Sequence, residues 1–171
     1  MREIADYLRK VEGALKVGNA TEHTHRPALK SLVEALRTGA IATNEPQRIA
    51  CGSPDFIVTS KNTPLGYIEA KDVGVDLDRA EDIEQLKRYR ASLRNLILTD
   101  YLEFRLYRNG EAVRDVRIAK WQKTGGLRRD SVAIPQLETL FNAFFDANVP
   151  LLAPLASLQN AWLVWRACFM T

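Results

Sequence analysis

The run Asn95–Thr99, N-L-I-L-T, limits the possible folds of this chain more than any other stretch. A strand without polar alternation must be covered on both faces, which is the habit of a central strand in a sheet with helices on either side. The stretch before it, from about Arg79 to Ser92, carries Ile83, Leu86 and Tyr89 on one side and is rich in cations on the other. It predicts a crossover helix, so the apolar run is expected to lie parallel to an earlier strand. The residues from Leu102 to Ala119 behave differently: they alternate, and they break at Asn109-Gly110, a pair suited to a tight hairpin. A parallel and an antiparallel connection together make a mixed sheet. The chain therefore reads as α/β, with a central mixed β-sheet flanked by helices.

The remaining elements follow from periodicity. Ile4, Leu8, Val11 and Leu15 predict a helix over Arg2–Lys16 that Gly18 ends. Leu29, Leu32, Val33 and Leu36 predict a second over Pro27–Arg37, with Pro27 in its first turn and Gly39 after it. A loop from Ala42 onward should lead to a short strand at Arg48–Cys51. Near the end, Leu137, Leu140, Phe141, Phe144 and Phe145 predict a helix over Pro135–Asn148. The segment 134–171 is set apart from a core of 1–133 as a C-terminal helical segment, a remnant linker or docking helix. Its last part, from Leu155, is too short and too interrupted by Gln159, Asn160 and Arg166 for a membrane span.

Composition narrows the class. With 171 residues, 46% hydrophobic and 26% charged, the chain can bury one substantial core. The net charge of +3 permits an anionic partner without requiring one. Cys51 and Cys168 are far apart and lack C-x-x-C spacing, which argues against a disulfide framework and a zinc ribbon. Reduced thiols and a cytoplasmic location are expected, since the N-terminus has no apolar signal segment.

Chemistry concentrates in Ser53–Asp72. Phe56-Ile57-Val58 and Tyr67-Ile68 read as two strands broken by Lys61-Asn62-Thr63-Pro64 and Gly66. Asp55, Glu69 and Lys71 fall among residues that otherwise belong in a core. Strand alternation puts Tyr67, Glu69 and Lys71 on one side and Ile68 and Ala70 on the other. Two carboxylates suit Mg²⁺, or Mn²⁺ in its place, and an adjacent amine can orient a water for phosphodiester hydrolysis. The plainer alternative is a solvated edge strand whose charges discourage strand addition. Gln85 and Tyr89 stand four apart and share a helix face. His23 and His25 invite a metal reading, but without a further Cys or His cluster a phosphate contact or loop role fits better. Glu22 precedes the second helix, where an acid also complements the helix dipole, and Glu45 is a reserve acid.

Pro54-Asp55 followed by Glu69-Ala70-Lys71 resembles the P-D…(D/E)-x-K signature of the PD-(D/E)XK nuclease superfamily. Gln85-x-x-x-Tyr89 resembles the Q-x-x-x-Y element of some of its branches. With T-E-H-T-H-R-P-A-L, N-E-P, N-L-I-L-T-D-Y and F-R-L-Y-R-N-G in order, Met1 to Phe145 resembles the N-terminal nuclease domain of single-polypeptide type I (ISP) and type IIG restriction-modification enzymes. The resemblance implies a restriction-endonuclease-like core that cleaves double-stranded DNA with Mg²⁺. It assigns the metal to Asp55, Glu69 and the Ala70 carbonyl with Glu22 assisting, the attacking water to Lys71, and the shaping of the site to Gln85 and Tyr89. Lys87, Arg88, Lys120, Lys123, Arg128 and Arg129 are the candidate DNA contacts. In those enzymes the nuclease is fused to an adenine methyltransferase. This chain has no G-x-G cofactor loop, no N-P-P-Y-like motif and no P-loop, so a methyltransferase or specificity partner is expected. The reading from another class is a catalytically silent nucleic-acid-binding or assembly module that keeps the fold.

Overall fold

The computed structural model describes residues 2–46 and 49–147. Helix α1 (Arg2–Val17) buries Ile4, Tyr7, Leu8 and Val11 along one stripe, and Gly18 ends it in the left-handed region at φ 82°. Helix α2 spans Glu22–Leu36, so it begins before Pro27 rather than at it. Two acceptors permit the earlier start. Thr24 Oγ1 accepts the Thr21 N–H at 3.0 Å, and the Asp72 carboxylate accepts the Glu22 N–H at 2.6 Å. Pro27 then lies within the helix, where its missing N–H costs one backbone bond.

The sheet begins with a strand that runs into the loop expected from Ala42 onward. Strands β1 (Ala40–Asn44), β2 (Phe56–Ser60) and β3 (Thr63–Ala70) form an antiparallel meander. Of the expected strand at Arg48–Cys51, Arg48 lies outside the described residues and residues 49–51 turn instead: Ile49 and Gly52 exchange backbone bonds of 2.8 and 3.0 Å. The crossover from β3 is broken into a short α3 (Leu77–Glu81) and α4 (Glu84–Ser92), and Ile83 between them is 52% exposed instead of packed. Strand β4 (Asn95–Thr99) is buried along its whole length and pairs in parallel with β3. Strands β5 (Glu103–Arg108) and β6 (Glu111–Arg117) form the hairpin about Asn109-Gly110, both at positive φ. A small pair, β7 (Ala119–Trp121) and β8 (Leu127–Arg129), leads into α5 (Ala133–Phe145).

The main sheet has six strands in the order β1-β2-β3-β4-β5-β6, mixed because only β3 and β4 run parallel. Its two faces carry separate cores. Ile68, Ala70, Ile97, Phe104 and Val116 pack against α1, α2 and α5, whereas Leu96, Leu98 and Tyr107 pack against Leu77, Leu86 and Tyr89 of α3 and α4. Leu137, Leu140, Phe141, Phe144 and Phe145 of α5 lie in the larger core, so residues 134–145 pack as part of the same layer structure. Gly66 is a packing residue and not a turn residue. A Cβ there would lie 2.5 Å from the Phe144 ring and 2.8 Å from the Asn95 carbonyl oxygen. The turn itself is Lys61-Asn62, both in the left-handed region. The apolar tail from Leu155 falls outside the described residues.

Candidate active site

Register brings the predicted carboxylates together. Phe56 pairs with Ile68, and one further step along the antiparallel ladder sets Asp55 across from Glu69 on the same face. Lys71 continues that face, and its backbone N–H bonds to Thr99 at 2.8 Å, so the parallel end of β4 fixes the end of β3. Lys71 Nζ donates to Glu69 Oε1 at 2.8 Å, with side-chain exposures of 19% and 4%. The other Glu69 oxygen, Oε2, is buried and has no hydrogen-bond partner. Asp55 Oδ2 accepts the Ala70 N–H at 2.8 Å. Burial, and then the Asp55 charge, push the Glu69 carboxyl up to about 7 even though Lys71 opposes this. Burial also raises the pKa of Asp55, against the Ala70 N–H.

A residue that the sequence reading passed over stands in the middle of the acids. Arg26 donates through one terminal nitrogen to Glu22 Oε1 at 2.7 Å and to Asp55 Oδ1, and through the other to Glu45 Oε1 at 2.7 Å. Only an arginine at the fourth position after Glu22 signalled this, and that spacing is ordinary on a helix surface. Tyr101 and Asp72 complete the frame. The Tyr101 hydroxyl donates to the Glu22 carbonyl at 2.7 Å, and Asp72 caps α2 just beyond Lys71, so the end of β3 and the start of α2 are tied together.

Gln85 and Tyr89 meet as the helical spacing required, with Gln85 Nε2 donating to the Tyr89 hydroxyl at 3.1 Å. Burial raises the Tyr89 pKa, and the Glu69 charge adds to it. Gly52 makes room for that ring: a Cβ there would come within 2.8 Å of the hydroxyl. The histidines separate. His25 is buried inside α2 against Tyr101, with ring centroids 5.1 Å apart, so it is neither a loop residue nor a surface phosphate contact. His23 is exposed, 3.9 Å from Glu45.

The comparisons with known proteins bear on the fold. Over 87% of this chain the structure superposes on part of the cryo-electron-microscopy structure of a DrdV–DNA complex, with a TM-score of 0.67 and 24% sequence identity. The two share one fold. The matched region is 14% of the DrdV chain, so the larger part of that protein has no counterpart in these residues. No protein-family profile matches the chain, and no curated protein does.

Oxygen ligands are the chemistry on offer. Among the described residues no three His, Cys, Asp or Glu side chains are gathered closely enough to hold an ion alone. A cation would therefore depend on Asp55, the unpartnered Glu69 Oε2, a backbone carbonyl, water and substrate phosphate, which suits Mg²⁺ better than zinc. The predicted cations divide. Lys87 and Arg88 are exposed on α4, and Lys123 is exposed in the turn between β7 and β8. Lys120 and Arg128 line a groove of about 420 Å³ together with Asp130, Ser131 and Arg117, the last held in an ion pair by Glu103. Arg129 borders the same groove but is engaged by Glu12 at 2.9 Å. Glu103 at the start of β5 pairs with Arg117 at the end of β6, so the groove lies at the same end of the sheet as Lys71. Three strand spacings separate β3 from β6, or roughly 14 Å. No helix among the described residues is long and apolar enough to cross a membrane.

Proposed function

We propose that the chain is a Mg²⁺-dependent endonuclease domain that hydrolyses phosphodiester bonds in double-stranded DNA, the nuclease part of a restriction-modification system. The observation that carries this reading is Asp55 across the ladder from Glu69, with Lys71 2.8 Å from Glu69 and the second Glu69 oxygen unpartnered. Unpartnered buried carboxylate oxygens are costly, and a site that binds a cation or a donor is the usual reason to keep one. The shared fold with a protein solved on DNA supports the choice of substrate.

Asp55, Glu69 and the Ala70 carbonyl would hold the cation, with Glu22 close by. When bound, the metal supplies Lewis-acid polarisation of the scissile phosphate and a more acidic water. Lys71 does the positioning. Glu69 anchors its ammonium at one proton, which leaves others to hold a water against the phosphorus. Gln85 and Tyr89, joined by a hydrogen bond, would shape the site on the α4 side of the sheet, where partial burial makes each charge act more strongly. Lys120 and Arg128 would take the DNA backbone further along the same end of the sheet. Base recognition and methylation would come from a methyltransferase and specificity partner.

A fluorescent duplex oligonucleotide incubated with the purified chain tests this. Cleavage should appear with Mg²⁺ or Mn²⁺, vanish with chelator, and be absent in Lys71→Ala. Zinc-dependent cutting that His23→Ala abolishes would contradict the assignment.

A further inference from the structure

The arrangement of Arg26 is not accounted for by the hydrolytic site alone. Its side chain is 7% exposed, yet it meets carboxylates from three separate segments: Glu22 of α2, Glu45 beyond β1, and Asp55 before β2. Both oxygens of Asp55 are thereby taken, one by Arg26 and one by the Ala70 N–H. An arginine cannot shed its charge by deprotonation, so any dication approaching Asp55 does so against a permanent positive group. Without that group, Glu22 and Asp55 would lose the cation they share.

We propose that Arg26 is the internal counter-cation of this site, holding the Glu22 and Asp55 carboxylates in the metal-free protein and yielding that role when a divalent cation binds. This rests on the metal-dependent reading above. Arg26 is thus a positioning residue: it keeps the acids folded together and sets a threshold for metal occupancy. It does not contact the reacting atoms.

Calcium binding separates this role from a structural one, because Ca²⁺ loads oxygen sites and is read by calorimetry without cleavage. In Arg26→Gln the Ca²⁺ dissociation constant should fall by on the order of tenfold, since a unit positive charge beside the site is gone. The unfolding temperature in chelator should fall as well. Arg26→Lys keeps the charge and should stay within about threefold of the parent. Equal or weaker Ca²⁺ binding by Arg26→Gln overturns the proposal. A reading that needs no variant comes from the Arg26 side-chain N–H resonances of the parent chain. They should move with the same midpoint as Ca²⁺ binding, and signals that stay fixed through saturation also overturn it. If the parent and both variants bind no Ca²⁺, the metal-dependent function itself fails. If the parent binds it and Arg26→Gln binds it no better, only the counter-cation role fails.

Discussion

Glu69 carries a cost in the fold that its chemistry explains. The unfolded chain releases this proton near the ordinary value of 4.5, whereas burial delays release in the fold to about 7. Its contribution to stability is complete below the unfolded value and is lost as pH rises through about 7. Glu69→Gln should therefore match the parent at pH 4 and exceed it at pH 8 in chelator by on the order of 2–3 kcal/mol. Urea denaturation at the two pH values measures the difference, and an equal or lower stability at pH 8 would show that Glu69 is held charged by partners. Asp55 should respond in the opposite sense to truncation. Asp55→Ala strands the Ala70 N–H and releases Arg26, at about 1–3 kcal/mol, while Asp55→Asn keeps an oxygen for Ala70. Both variants should lose cleavage, but only Asp55→Ala should lose much stability. The E-x-K spacing and the preceding P-D made these residues legible from the sequence. Arg26 was not, because its partners come from three segments that only the fold brings together.

At the scale of elements, the strongest sequence patterns survived and the weak ones misled. The all-apolar N-L-I-L-T became the buried strand, and Asn109-Gly110 became the hairpin. Strand β1 was missed because Ala40–Asn44 offers small residues and one large apolar side chain, Ile41, which points outward at 53% exposure. The start of α2 was misplaced because the proline signal outweighed the Thr21–Thr24 cap and the distant Asp72 acceptor could not be foreseen. Gly66 looked like a turn residue for the same local reason, although its role is to let α5 and Asn95 approach β3. That difference is measurable. Gly66→Ala should destabilise the chain by about 1–3 kcal/mol or more, since neither the Asn95 backbone nor the packed Phe144 ring can step aside cheaply. A variant as stable as the parent would mean that α5 docks loosely on the sheet.

For the molecule as a whole, the acids and the groove share one end of the sheet, so a duplex could engage both. Phosphate contacts release counterions, so binding should weaken steeply as salt rises. A Lys120→Glu, Arg128→Glu double variant should bind duplex DNA at least tenfold more weakly, because two attractive contacts become repulsive, while its unfolding temperature stays close to that of the parent. Fluorescence anisotropy with a short duplex reads this, and unchanged affinity would move the DNA path away from the groove. The chain corresponds to 14% of DrdV, and no element of it is assigned to reading bases, so cutting by these residues alone should show little sequence preference. The most direct test of the nuclease assignment is supercoiled plasmid incubated with the purified chain at low salt. Mg²⁺ should convert it to open-circular and linear forms, Ca²⁺ and chelator should not, and Lys71→Ala should be inert with every ion. Intact supercoiled plasmid in Mg²⁺ and Mn²⁺, with the parent chain folded and bound to DNA, would contradict that assignment and leave a binding module in its place.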